Sequence, residues 1–314
     1  MFEMAKKFNQ NINNWNVSKV KTMEYMFCEA ESFNQPLNNW NVSNVEDMSY
    51  MFETARKFNQ NINNWNVSKV KTMEYMFCEA ESFNQPLNNW NVSNVEDMSY
   101  MFETARKFNQ NINNWNVSKV KTMEYMFCEA ESFNQPLNNW NVSNVEDMHS
   151  MFEKAKKFNQ PLDKWDVSNV IEMDFMFSYT KKFNQNINDW NVSKVKTMEY
   201  MFCEAESFNQ PLDKWDVSNV RNMDLMFYKA KKFNQNINDW NISKVKTRNH
   251  MFTEAKSFNQ PLDKWEVSNV VRNRKGMLDR EQNIEKQFKP KTREELKELV
   301  ENESINLGDI DTSL

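Results

Sequence analysis

Apolar side chains recur along this chain with a period of 25 residues. Rungs begin at Met1, Met26, Met51 and so on to Met251, and each reads approximately M-F-x-x-A-x-x-F-N-Q-[NP]-[IL]-x-x-W-x-V-S-x-V-x-x-M-x-x. Within a rung Trp15 and Val17 alternate with Asn16 and Ser18, which is strand periodicity. Beyond them Val20, Met23, Met26, Phe27, Ala30 and Phe33 recur at three- and four-residue intervals, the spacing of one helical face. The pattern therefore predicts one short strand and one short helix per rung, the helix over about residues 19–31. Ser43 with Glu46, and Ser93 with Glu96, fit a capping box at the start of that helix.

Between helix and strand runs F-N-Q-[NP]-[IL], where Pro36, Pro86 and Pro136 alternate with Asn11, Asn61 and Asn111. Proline cannot donate to a backbone ladder, so this stretch reads as the returning loop. Glycine occurs only at Gly276 and Gly308, so asparagine is expected to supply most left-handed turns. The recurrent Asn9 and Gln10 positions can stack as amide ladders that satisfy the loop backbone.

A lone rung cannot repay the entropy of ordering its backbone. Stacking resolves this, because each rung's Trp, Phe and Met bury against their copies on both sides. Charge supports the same direction. The sixth place reads Lys6, Glu31, Arg56, Glu81, Arg106, Glu131, and the twenty-first reads Lys21, Glu46, Lys71, Glu96, Lys121, Glu146. Stacked rungs would set opposite charges side by side, so a second period of 50 residues lies on the first. The alternation falters from Lys156 onward, around Lys181 and Arg221. Residues 8–50 recur unchanged at 58–100, the mark of recent duplication, so sameness between copies carries no functional weight.

The net charge is −5, with basic residues interleaved among acids, which argues against a nucleic-acid stripe. No apolar run approaches the length needed to cross a bilayer, and the start lacks the form of a secretory signal. Cys28, Cys78, Cys128 and Cys203 share the third rung position, two or three rungs apart, beyond disulfide reach. They are expected to be free thiols. With only His149 and His250 beside them, no metal array is expected; no cofactor is expected either.

The motif A-x-x-F-N-Q-P-L-x-x-W-x-V-S-N-V-x-x-M-x-x-M-F resembles the repeat of BspA-like leucine-rich-repeat bacterial surface proteins, of the mycoplasma-lipoprotein type. The resemblance covers residues 1–270 and implies an arc-shaped solenoid of strands and helices. The fold expected is an α/β repeat solenoid, a leucine-rich-repeat-like right-handed arc with a short parallel strand and a short helix per rung. It would hold ten full rungs and a partial eleventh within 1–270. Family members are usually exported or lipid-anchored and associated with adhesion to host proteins or other cells. Met1 and Phe2 already stand in core positions and no leader precedes them, so the chain reads as a fragment or an array without its leader. If that first rung is uncapped, end-to-end association of an otherwise monomeric chain is an option.

Residues 271–314 are charged. Thr292 and Glu295 form a capping signal and Leu296, Leu299 and Val300 a stripe, which predicts an amphipathic helix near 292–301 that covers the open core. Ile310 to Leu314 resemble the start of a second array.

The expected function is non-enzymatic: a surface protein mediating protein or cell adhesion through a multivalent surface. Its partner would be a protein or glycan of a host or neighbouring cell. The expected ligand strip is the strand's outward face, polar and concave, formed by Asn16, Ser18, Asn41, Ser43, Asn66, Ser68, Asn91, Ser93, Asn116, Ser118, Asn141 and Ser143. Asp166, Asp216 and Glu266 make its later part acidic. The alternatives are plain solvated surface for the strip and, for the protein, an intracellular scaffold or spacer without a ligand. No residue set converges as an acid, base and nucleophile would in an enzyme.

Overall fold

A computed structural model describes residues 1–265. The predicted helix near 292–301, the array remnant at 310–314, the end of the eleventh rung and Glu266 lie outside the described residues.

The tandem repeats stack as a solenoid, one 25-residue turn per rung, around a continuous core of Trp, Phe, Met, Val, Ile/Leu and Ala. Phe77, Phe83, Phe102 and Phe108 have no solvent exposure at all. The predicted core positions are therefore the observed ones. The predicted helix is not: the described residues contain no helix, and the strand reduces to a single bridging residue per rung. Nine parallel bridges link the rungs, from Thr22 with Asp47 to Asn222 with Thr247. They lie at the twenty-second rung position, seven residues after the tryptophan, and not at the W-x-V segment.

The backbone shows why helical spacing misled. From Met23 to Glu29 every second N–H leaves the rung: Met23 donates to the Asp47 carbonyl at 2.9 Å, Phe27 to that of Met51 at 2.9 Å and Glu29 to that of Glu53 at 2.8 Å. The intervening N–H groups close three-residue turns, Met26 to Met23 at 3.1 Å, Ala30 to Phe27 at 2.9 Å and Phe33 to Ala30 at 2.9 Å. Apolar residues spaced by three and four thus mark successive tight turns whose corners point inward. A helix would have spent those N–H groups internally; here they join the rungs. Ser43 and Glu46 accordingly form no capping box. The Ser43 N–H is taken by the Asn41 side chain at 3.1 Å, and Glu46 pairs with Lys21 and Lys71, each at 3.2 Å.

The left-handed positions also differ from expectation. Two residues per rung have positive φ, at the twenty-fifth and fourth places: Tyr75 at 53° and Glu79 at 53°, Tyr100 at 59° and Thr104 at 54°. No asparagine is among them. Asparagine serves through its side chain instead. Asn34 Oδ1 accepts the Asn59 N–H at 3.0 Å and the Gln60 amide at 2.9 Å, and the next rung repeats the arrangement from Asn59 to Asn84 at 2.9 Å. The expected amide ladder is therefore present.

Rungs are not equally spaced around their circumference. Successive tyrosine rings from Tyr25 to Tyr125 lie 4.1 to 4.6 Å apart, whereas successive tryptophans from Trp40 to Trp190 lie 6.3 to 6.5 Å apart in nearly parallel stacks. On the close flank backbone meets backbone. On the wide flank side chains bridge the gap: Trp65 Nε1 donates to the Leu37 carbonyl at 3.0 Å, and Asn94 Nδ2 to that of Ser68 at 2.8 Å.

Charge alternation is realised as ion pairs across rungs. Arg56 reaches Glu81 at 2.7 Å and Glu79 at 2.5 Å, Lys6 reaches Glu31 at 2.9 Å, and Lys121 reaches Glu96 at 3.4 Å.

Candidate functional site

The Asn and Ser strip foreseen as a strand face stands on a turn. Asn16 Oδ1 accepts the Ser18 N–H at 3.1 Å, and the same closure recurs from Asn41 to Ser43, Asn66 to Ser68, Asn91 to Ser93, Asn116 to Ser118 and Asn141 to Ser143, each at 3.1 Å. Asp166 and Asp216 close the same turn onto Ser168 and Ser218 at 3.0 Å. The Ser168 and Ser218 hydroxyls, and then their N–H groups, hold these two carboxyls below the usual range. The strip borders the wide tryptophan flank, and its carboxylate or amide oxygens are spent on the backbone. An Asn two places before Ser is the signature of such a side-chain turn, and the sequence carries it, as Asn or Asp, through the first ten rungs.

The close flank carries a different surface. Each of the first nine rungs has an acid at its twenty-second or twenty-fourth place: Glu24, Asp47, Glu74, Asp97, Glu124, Asp147, Glu172 with Asp174, Glu199 and Asp224. Further acids follow at the third and fourth places, among them Glu53, Glu79, Glu103, Glu129 and Glu153. Between the two rows run the stacked tyrosines, whose rings press face to face and leave their edges outward. The basic side chains along these positions are Lys154 and Lys229, with His149 beside them. Although the chain is nearly balanced in charge, this face is acidic over most of its length.

Its electrostatics follow from that crowding. Burial raises the carboxyls of Glu74 and Glu124 above the usual range, and the charges of Asp97 and Asp147 add to it. Burial likewise raises Glu53, Glu103, Glu172 and Glu199. The thiols of Cys28, Cys78, Cys128 and Cys203 are free and buried. Burial first, then the Glu53 carboxylate 3.1 Å away, pushes Cys28 up to about 12, which makes it a poor nucleophile.

One rung breaks the lattice. His149 and Ser150 replace the serine and tyrosine of earlier copies, so the tyrosine ladder ends at Tyr125, whose hydroxyl lies 3.0 Å from His149 Nε2. Asp174 faces the other ring nitrogen at 3.9 Å. Burial opposes charge on His149, but Asp174, with Asp147 and Glu124 behind it, outweighs this and raises its pKa. Among the described residues no three His, Cys, Asp or Glu side chains converge as a metal would need. A hollow of about 360 Å³ lies along the edge between Lys69, Lys71, Lys119, Glu46, Asn94 and Glu96; Lys71 pairs there with Glu46, and the Lys69 and Lys119 ammonium groups rest on Asn44 and Asn94. No helix of the described residues is long and apolar enough to cross a membrane.

The repeat itself decides the kinship. Four overlapping stretches, residues 1–90, 82–190, 132–222 and 180–290, match the family described as Mycoplasma protein of unknown function, DUF285. The chain belongs to this family. No curated protein matches it. Among solved structures it is similar to a chain of the crystal structure of a TLR13–ssRNA13 complex, at 9% identity and a TM-score of 0.27. That likeness covers 77% of this chain and 45% of the other, so this chain spans under half the length of that protein.

Proposed function

We propose that this DUF285 chain is a non-enzymatic surface protein that mediates adhesion to proteins or cells through a multivalent repeat surface. The observation that supports it most directly is the acidic close flank, where a carboxylate returns in each of the first nine rungs and a tyrosine edge in each of the first five. A basic surface on a host or neighbouring-cell protein would gain one weak contact per rung, and strength would come from their number. This replaces the Asn and Ser strip, whose side chains are occupied by their own turns. A leucine-rich-repeat-like right-handed arc, with the close flank on its inner side, and kinship to the BspA-like surface proteins belong to the same proposal. So does placement at the cell surface, which membership of a Mycoplasma family supports.

The test pairs binding with location. The whole chain is passed over extracellular-matrix and serum proteins beside a triple variant, Glu74→Gln, Glu124→Gln and Glu199→Gln. Binding that falls with the variant and with salt supports the proposal; equal binding by both overturns the choice of face. Complete protection from protease added to intact cells would sink adhesion altogether. The second reading, a scaffold or spacer without its own ligand, is favoured by the sixth and twenty-first columns, where Lys6, Arg56, Lys21, Lys71 and Lys121 all pair with glutamates of neighbouring rungs.

A further inference from the structure

The twenty-first column behaves differently in the later rungs. Through Glu146 it alternates in sign, and Lys21, Lys71 and Lys121 all sit within ion-pair distance of Glu46 or Glu96. After Ile171 it holds Lys196, Arg221 and Lys246 in succession. The Arg221 N–H donates to the Lys196 carbonyl and the Lys246 N–H to the Arg221 carbonyl, both at 2.8 Å, so the three cations stand directly above one another. Two places earlier Lys194 and Lys244 join them, their ammonium groups steadied on Asn169 Oδ1 at 2.6 Å and Asn219 Oδ1 at 2.7 Å. All five are exposed, and among the described residues none has an acid within ion-pair distance. Like charges in register repel, and a row of cations without acid partners raises a positive potential along these three rungs of the edge.

We infer that this ridge binds an extended anionic polysaccharide, one carrying sulfate or carboxylate groups along its length. Stacked rungs repeat at about 4.8 Å, so a chain laid along the ridge meets a cation at every rung. The ridge is a narrow one. Glu172, Glu199 and Asp224 run along one side and Asp216 stands on the other, so a bilayer or a nucleic-acid duplex would press its phosphates against carboxylates. Bases would also need aromatic platforms, and the Phe175–Tyr200 stack is at the far side of the acidic row. A slender glycan avoids both, and Asn191 and Asn241, whose Oδ1 atoms close their own turns onto Ser193 and Ser243, still offer its hydroxyls their Nδ2 groups. The inference does not rest on adhesion through the acidic flank, whose carboxylates serve here only as the border of the ridge.

The experiment measures the full chain on immobilised heparin, with neutral dextran, single-stranded oligothymidylate and phosphatidylserine vesicles in parallel. Heparin is expected to bind best, and Arg221→Glu to weaken it at least about fivefold, the scale of one lost ionic contact. The thermal midpoint should hold or rise, because a glutamate placed between Lys196 and Lys246 would repeat the order of Lys71, Glu96 and Lys121. Should that variant fail to fold, Arg221→Gln takes its place with the same expected direction. Unchanged heparin affinity in the folded variant would overturn the site. Equal affinity for dextran, or tighter binding to oligothymidylate or vesicles, would overturn the choice of a charged glycan.

Discussion

The indole Nε1 of Trp115 donates to the backbone carbonyl of Leu87, 3.0 Å away and 28 residues earlier in the chain. The bond crosses the wide flank, where the two backbones stand too far apart to meet directly. It recurs from Trp40 onto Ile12 and from Trp140 onto Ile112, both at 3.0 Å. In Trp115→Phe the Leu87 carbonyl would keep only the Trp90 N–H, 3.1 Å away, and the loss of the second hydrogen bond should cost about 0.5–1.5 kcal/mol. Urea unfolding of the variant should show that loss as a lower midpoint; a change within error would mean that the indole acts by volume alone.

The amide ladder makes a similar claim about the loop. Asn84 Oδ1 accepts the Asn109 N–H and the Gln110 side chain, both at 2.9 Å. Asn84→Ala removes the acceptor of a half-buried N–H and should destabilise by about 1–2 kcal/mol. Amide exchange at Asn109 is expected to accelerate locally, ahead of its neighbours in the core.

Left-handed backbone at Thr104, φ 54°, is unfavourable for a β-branched residue. Asparagine tolerates that region better, so Thr104→Asn should stabilise the array, by roughly 0.5–1 kcal/mol. A thermal midpoint no higher than that of the parent would show that stacking fully absorbs the strain.

The acidic flank predicts an unusual pH profile. Carboxyls held above their unfolded values, such as Glu74, Glu103 and Glu124, oppose folding while ionised. That opposition is relieved as pH falls through their folded pKa toward the unfolded value, near 4.3. Carboxyls held low by partners act in the opposite sense: Glu129 by Lys154, Glu206 by Lys181, and Asp166 by Ser168 contribute above the unfolded value and lose it as pH falls through their own pKa. Melting temperature should therefore rise from pH 7 to about pH 5 and fall below about pH 4. Glu103→Gln should flatten the rise, and a steady decline from pH 7 downward would contradict it.

Rung length, the inward positions and the paired charges are all legible in the amino-acid sequence. Each depends only on what recurs at a fixed interval, and duplication made that interval plain. The helix could not be read correctly, because Val20, Met23, Met26 and Phe27 have a spacing that both a helix and a run of inward turn corners produce. What separates the two is where the intervening N–H groups go, and Met23 and Phe27 send theirs to the next rung. The left-handed residues were misassigned for a related reason: Tyr75 and Thr104 adopt a conformation that their own chemistry disfavours, and only the stack imposes it. The acids at Asp97 and Glu124 were visible as letters, but their adjacency to the tyrosines requires knowing that the chain reverses at Tyr100 and Tyr125.

The alternating columns also constrain how such an array can change length. Removing residues 76–100 would bring Arg56 against Arg106 and Lys71 against Lys121, whereas removing two consecutive rungs would leave every neighbour opposite in sign. Over its first six rungs the array has a parity: unequal recombination in steps of two passes unnoticed by the electrostatics, and a single step does not. A gene free to expand and contract by slippage would then give a ladder of lengths in which members two rungs apart are favoured, set by nothing more than the sign of the charge at two places in each turn.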